Sequence, residues 1–126
     1  MLVYTSLLFI TNSMTTFYKK QWIYCFLFVC LTVSSVMFHA EPNMYTNVLD
    51  KLSIFFVVVY GAYRVYMSKP THMQWTVILG TFLSTLILFY YGYCTSTLCY
   101  SPTHGDLYHG ILHLISSIGH HFITFL

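Results

Sequence analysis

Trp22-Ile-Tyr-Cys-Phe-Leu-Phe-Val-Cys-Leu-Thr-Val-Ser-Ser-Val-Met-Phe-His-Ala40 runs from an interfacial aromatic to a histidine without one Asp, Glu, Lys or Arg. Its length and polarity match the roughly 20 largely apolar residues that a helix needs to cross a bilayer. Three further segments read the same way: 48–66, 75–93 and 107–126. A fifth, 2–18, is shorter and carries Thr5, Ser6, Thr11, Asn12 and Ser13. The breaks between segments are Lys19-Lys20, Glu41-Pro42-Asn43, Ser68-Lys69-Pro70 and the turn from Thr95 to Gly105. Trp22, Trp75, Tyr90, Tyr91 and Tyr93 suit the aromatic belts at headgroup level. The expected fold is an all-α, polytopic transmembrane bundle of about five spans, forming one domain over 1–126.

The composition supports this reading. Hydrophobic residues make up 57% of the chain and charged residues 6%, with a mean hydropathy of +0.68. A water-facing surface normally draws on roughly 25% charged residues. Five Lys+Arg and three Asp+Glu cannot supply one, so lipid is expected to cover the exterior. A soluble α-bundle would need a polar face on each helix, yet Leu52 to Tyr66 offers only Ser53 and Arg64 as clearly polar side chains. The net charge of +2 is too small and dispersed for nucleic acid. MLVYTSLLFI has neither a positive n-region nor a small-residue cleavage site, which argues against a cleaved signal peptide.

With five spans, Lys19, Lys20, Arg64 and Lys69 share one side, and Lys51 stands alone on the other. The positive-inside rule places the first group in the cytoplasm. The N-terminus, the Glu41 loop and the Thr95–Gly105 loop then face the lumen or exterior. Cys94 and Cys99 would close a disulfide if their short polar stretch faces an oxidising compartment. Cys25 and Cys30 sit in an apolar run and read as small hydrophobes.

This topology brings polar residues together before any packing is known. His39 ends the second span, Asp50 starts the third, and His109 and His113 start the fifth, all toward one membrane face. His109 and His113 are four apart and share a helix face, as do Ser35 and His39. Three imidazoles leave the fourth tetrahedral position of a zinc ion to water, as in catalytic sites, and zinc lowers that water's pKa to about 7. Asp50 would take the proton and Ser35 would donate a hydrogen bond to a developing oxyanion. Spacing alone leaves open an ordinary set of interfacial histidines, the reading given to His72, His104, His120 and His121. Bis-histidine haem ligation gives Asp50 and Ser35 no role. A channel needs a polar stripe along one helix, and none of the spans shows a convincing one.

Ser35-Val-Met-Phe-His39-Ala40, with Leu49-Asp50-Lys51-Leu52 after it, resembles the Ser-x-x-Phe-His-Ala and Leu-Asp-x-Leu signature of the alkaline ceramidases. His109-Gly110-Ile-Leu-His113-Leu114 resembles that family's closing His-Gly-x-x-His-Leu segment. The wider superfamily includes the adiponectin and progestin receptors and haemolysin III-like proteins. The resemblance implies zinc (Zn2+) held by His39, His109 and His113, with Ser35 and Asp50 assisting hydrolysis of a ceramide-like lipid to a sphingoid base and a fatty acid. It implies residence in the endoplasmic reticulum or Golgi, with the N-terminus and zinc site toward the lumen and the C-terminus cytoplasmic. The family has seven helices, so here the acyl pocket is smaller, more open, or completed by a second subunit in a homo-oligomer. Its acidic, Trp-containing calcium-binding segment has no counterpart in MLVYTSLLFI, so calcium is not expected. The alternative is a non-catalytic, zinc-stabilised membrane protein that binds lipid or a protein partner.

Overall fold

The computed structural model describes the backbone of residues 2–95 and 105–126 and the side chains of 2–90 and 106–126. Every element among the described residues is an α-helix: α1 (Leu2–Ser6), α2 (Leu8–Tyr18), α3 (Trp22–Ala40), α4 (Met44–Ser68), α5 (His72–Thr95) and α6 (Gly105–Thr124). The expected bounds of α3 are met residue for residue. The expected first span is two helices joined at Leu7, where the Leu7 and Ile10 N–H groups take three-residue hydrogen bonds. Helix α4 begins earlier than expected, because Asn43 caps it. The Asn43 side chain accepts from the Thr46 N–H at 2.9 Å while the Thr46 hydroxyl accepts from the Asn43 N–H at 3.1 Å.

The helix ends sort into two groups. The α2–α3 and α4–α5 connections each hold a lysine with left-handed backbone, Lys20 (φ 56°) and Lys69 (φ 49°). The C-terminal end of α6 joins the first of these, since Gln21 donates to the Thr124 carbonyl at 3.0 Å and Lys19 lies over the Phe125 ring. The start of α1, the α3–α4 corner and the start of α6 lie at the opposite end. The common depth expected for His39, Asp50, His109 and His113 follows.

Helix α6 packs against α1, α2, α4 and α5, while α3 packs against α1, α2 and α4. The side-chain contacts of α6 with α1, α2 and α3 are polar. Asn12 Nδ2 donates to the Ser117 carbonyl at 3.0 Å, and Ser117 Oγ donates back to Asn12 Oδ1 at 2.6 Å, with both residues buried. His121 meets Thr11 and Thr15 at 3.0 and 3.2 Å, and the Tyr24 hydroxyl hydrogen-bonds His120 Nδ1. His120 and His121, expected at an interface, are thus built into helix packing. The polar stripe not expected on any span is present on α6, and it faces protein. Outward, the helices carry Phe26 and Val33, Phe56 and Val59, Leu83 and Ile87, and Leu114 and Phe122, all exposed. The apolar core is small: Phe9, Tyr24, Phe28, Leu31, Val57, Val65, Ile78 and Ile123.

Two of these helices, α3 and the Trp75-containing stretch His72–Tyr90 of α5, are long and apolar enough to cross a membrane. Among the described residues α5 makes close backbone contact with α6 alone, and it shares none with α4, its neighbour in sequence. Gly119 sets the α5–α6 distance, because a β-carbon there would stand 2.6 Å from Thr81 Oγ1 and 3.1 Å from Thr81 Cβ. A β-carbon at Gly80 of α5 meets nothing within 4 Å. Gly119→Ala is therefore expected to destabilise the bundle by about 1–3 kcal/mol through overpacking. Gly80→Ala is expected to be neutral or to stabilise by up to about 1 kcal/mol through helix propensity. Unfolding titrations of the two variants in mixed detergent micelles check the contrast.

Candidate metal centre

The α3–α4 corner places His39 one residue before the end of α3 and Asp50 in the second turn of α4. Helix α6 adds His109 and His113 from one face of its first three turns. The structure brings the three histidines together. Their ring centroids lie 4.8 Å apart for His39 and His109, 5.4 Å for His39 and His113, and 4.7 Å for His109 and His113. One ring nitrogen from each lies within 4.8 Å of the other two. Ligands in a tetrahedral zinc shell stand about 3.3 Å apart given Zn–N bonds of about 2.0–2.1 Å.

Two buried atoms at this centre have no hydrogen-bond partner, His39 Nε2 and Asp50 Oδ1. Buried polar groups are nearly always satisfied. A cation would satisfy the imidazole nitrogen, which has a lone pair to give. The carboxylate oxygen calls for a proton donor or a cation. The donor set therefore fits a divalent ion that favours nitrogen, such as zinc. The other carboxylate oxygen, Asp50 Oδ2, pairs with Lys51 Nζ at 3.0 Å. The ammonium is held over the rings of Phe38 and Phe89, with centroids 5.1 and 5.8 Å away. Asp50 is 3% exposed, so a charged partner offsets the cost of burying it.

Ser35 is also brought to the site, at 1% exposure, and its Oγ lies 2.9 Å from Ser6 Oγ. Ser6 has a single hydroxyl hydrogen, which it donates to the Leu2 carbonyl at 2.8 Å. The Ser6–Ser35 pair ties α1 to α3 beside the site. Ser35, expected at the site, lines the cavity there.

Ser35, Asp50, His109 and His113 line one cavity of about 430 Å³, which continues between α4, α5 and α6 past Val57, Ile78 and Phe82 to Ile123. Along α4 it extends from Asp50 to Val65, a rise of about 22 Å at 1.5 Å per residue. The walls beyond the histidines are mostly apolar. Among the described residues, α4 and α5 line it without close backbone contact between them.

His120 lines the far end of the same cavity and, bonded to Tyr24, takes no part in the three-histidine cluster. The side chains of Cys94 and Cys99, expected to form a disulfide, lie outside the described residues, as does His104. Cys25 and Cys30 are free and half-buried. Sequence reasoning missed Thr5 and Ser6, which reach His113 and Ser35 from α1. No motif marks them, and the one clue was that the polar residues of the first segment had to face something.

No family model, curated protein or solved structure matches the chain.

Because the three ligands come from two helices tied independently into the bundle, removing one imidazole is expected to leave the fold in place. His39→Ala should lower zinc affinity by at least 100-fold while the helical circular dichroism of the metal-free protein is unchanged. Equilibrium competition against a chelator reads the first quantity.

Proposed function

We propose that this protein is a membrane-embedded, zinc-dependent hydrolase of lipid amides, similar to the alkaline ceramidases and acting on a ceramide-like substrate. One observation carries the reading. His39, His109 and His113 converge beside an unpartnered Asp50 oxygen at the polar end of a long apolar cavity. A structural zinc site tends to be closed by four protein ligands, whereas three leave a position open.

The membrane assignment rests on the distribution of side chains. All five long units, counting α1 with α2, turn large apolar residues outward, and the polar side chains between helices bond to one another. Contiguous exposed apolar surface of this extent is incompatible with a monomer in water. We place five spans in the bilayer, with Lys19, Lys20 and Lys69 at the cytoplasmic end and the histidine cluster toward the lumen of the endoplasmic reticulum or Golgi.

Bound zinc would polarise the scissile carbonyl and acidify a water beside it. Asp50 Oδ1 is the base that takes a proton from the attacking water and passes it to the nitrogen as the C–N bond breaks. Lys51 pairs with the second Asp50 oxygen and fixes it in place. Ser35 donates a hydrogen bond to the developing oxyanion. The apolar walls formed by α4, α5 and α6 hold an acyl chain, and the gap between α4 and α5 admits it from the bilayer. That gap corresponds to the shortening relative to the seven-helix family, and it makes this pocket an open one.

Asp50→Asn is expected to retain stoichiometric zinc and to lose at least 100-fold in release of fatty acid from a panel of ceramides in detergent, because a positioned base contributes about 10²–10⁴-fold. A wild-type protein that binds zinc and releases fatty acid from no lipid amide would instead identify a lipid-binding protein stabilised by the metal.

A further inference from the structure

The hydroxyl of Thr5 lies 3.0 Å from Nδ1 of His113. It also donates to the Leu2 carbonyl at 3.1 Å. A threonine has one hydroxyl hydrogen, so with that hydrogen on Leu2 the oxygen can only accept from His113. The same carbonyl takes the Ser6 hydrogen at 2.8 Å. Thr5 and Ser6, consecutive on α1, thus present their hydroxyls to His113 and Ser35.

Two features make the contact possible. Gly110 lies one turn before His113 on α6, and a β-carbon there would stand 3.2 Å from Thr5 Cγ2, so the missing side chain lets α1 lie close against α6. The Phe9 ring packs edge-on against His113 with centroids 5.4 Å apart. The imidazole, 4% exposed, is held by Thr5 and Phe9 while its other nitrogen is left for the cluster.

We infer that Thr5 is a positioning residue of the metal centre: its hydroxyl, polarised by the Leu2 carbonyl, holds His113 as the Nδ1–H tautomer and leaves Nε2 to bind the ion. This rests on the reading of the three histidines as a metal site. It assigns to α1 a task in that site which goes beyond tethering the N-terminus. Partners that hold the second nitrogen of a ligating histidine typically matter 10–100-fold for metal affinity.

The test compares the full-length wild type, Thr5→Val and Thr5→Ser in detergent by zinc–chelator competition, together with ¹⁵N NMR of the metal-free wild type labelled at histidine. Thr5→Val keeps the bulk under Gly110 and is expected to bind zinc 10–100-fold more weakly, with Thr5→Ser returning affinity close to wild type. His113 in the wild type is expected to show a protonated Nδ1 and a bare Nε2. Wild-type affinity in Thr5→Val, or a His113 protonated on Nε2, overturns the inference even where the wild type binds zinc. If Thr5→Val does not fold, Thr5→Ser and the tautomer measurement decide alone. A wild type that binds no zinc defeats the metal reading, and the tautomer then judges the Thr5–His113 contact separately.

Discussion

The arrangement depends on the polar seam by which α6 is tied to the N-terminal half of the chain. Thr5 to His113, Asn12 to Ser117, Tyr24 to His120, Thr11 and Thr15 to His121, and Gln21 to the Thr124 carbonyl run the length of α6. Apolar packing alone does little to choose between neighbours when the surroundings are as apolar as the helices. Small residues and interhelical hydrogen bonds then fix which helices meet and in what register, at about 0.6–2 kcal/mol per bond. The reciprocal Asn12–Ser117 pair has one geometry in which both groups are satisfied. It sets the rotation of α6, and with it the direction in which His109 and His113 point.

That rotation explains why a small core suffices to hold a precise site. His109 and His113 face His39 because α6 can neither slide nor turn without breaking several seam bonds at once. Helix α5 is the contrast. It touches α6 through Gly119 and Thr81 and leaves most of its surface bare. The hydrogen-bonded packing lies between α6 and α1, α2 and α3, whereas α4, α5 and α6 line the mostly apolar cavity.

Much of this was legible in the sequence. The uncharged run from Trp22 to Ala40 fixed one helix exactly, and the alternation of spans and turns placed His39, Asp50, His109 and His113 at one end. The i, i+4 spacing then predicted that His109 and His113 share a face. Polar residues inside apolar segments were less readable. Thr11 and Asn12 looked like weaknesses in the first segment, and His120 and His121 looked like interfacial residues. Each is instead one half of a pair whose other half lies about a hundred positions away, which single-segment hydropathy cannot see.

The central claim is that three imidazoles of this chain form an open metal site. X-ray absorption at the zinc edge of the purified, zinc-loaded protein examines the coordination shell directly. The account predicts one ion per chain with three imidazole nitrogens at about 2.0–2.1 Å and one light-atom ligand that is not imidazole. Sulfur in the shell, a fourth imidazole, or failure to retain zinc at all would contradict it.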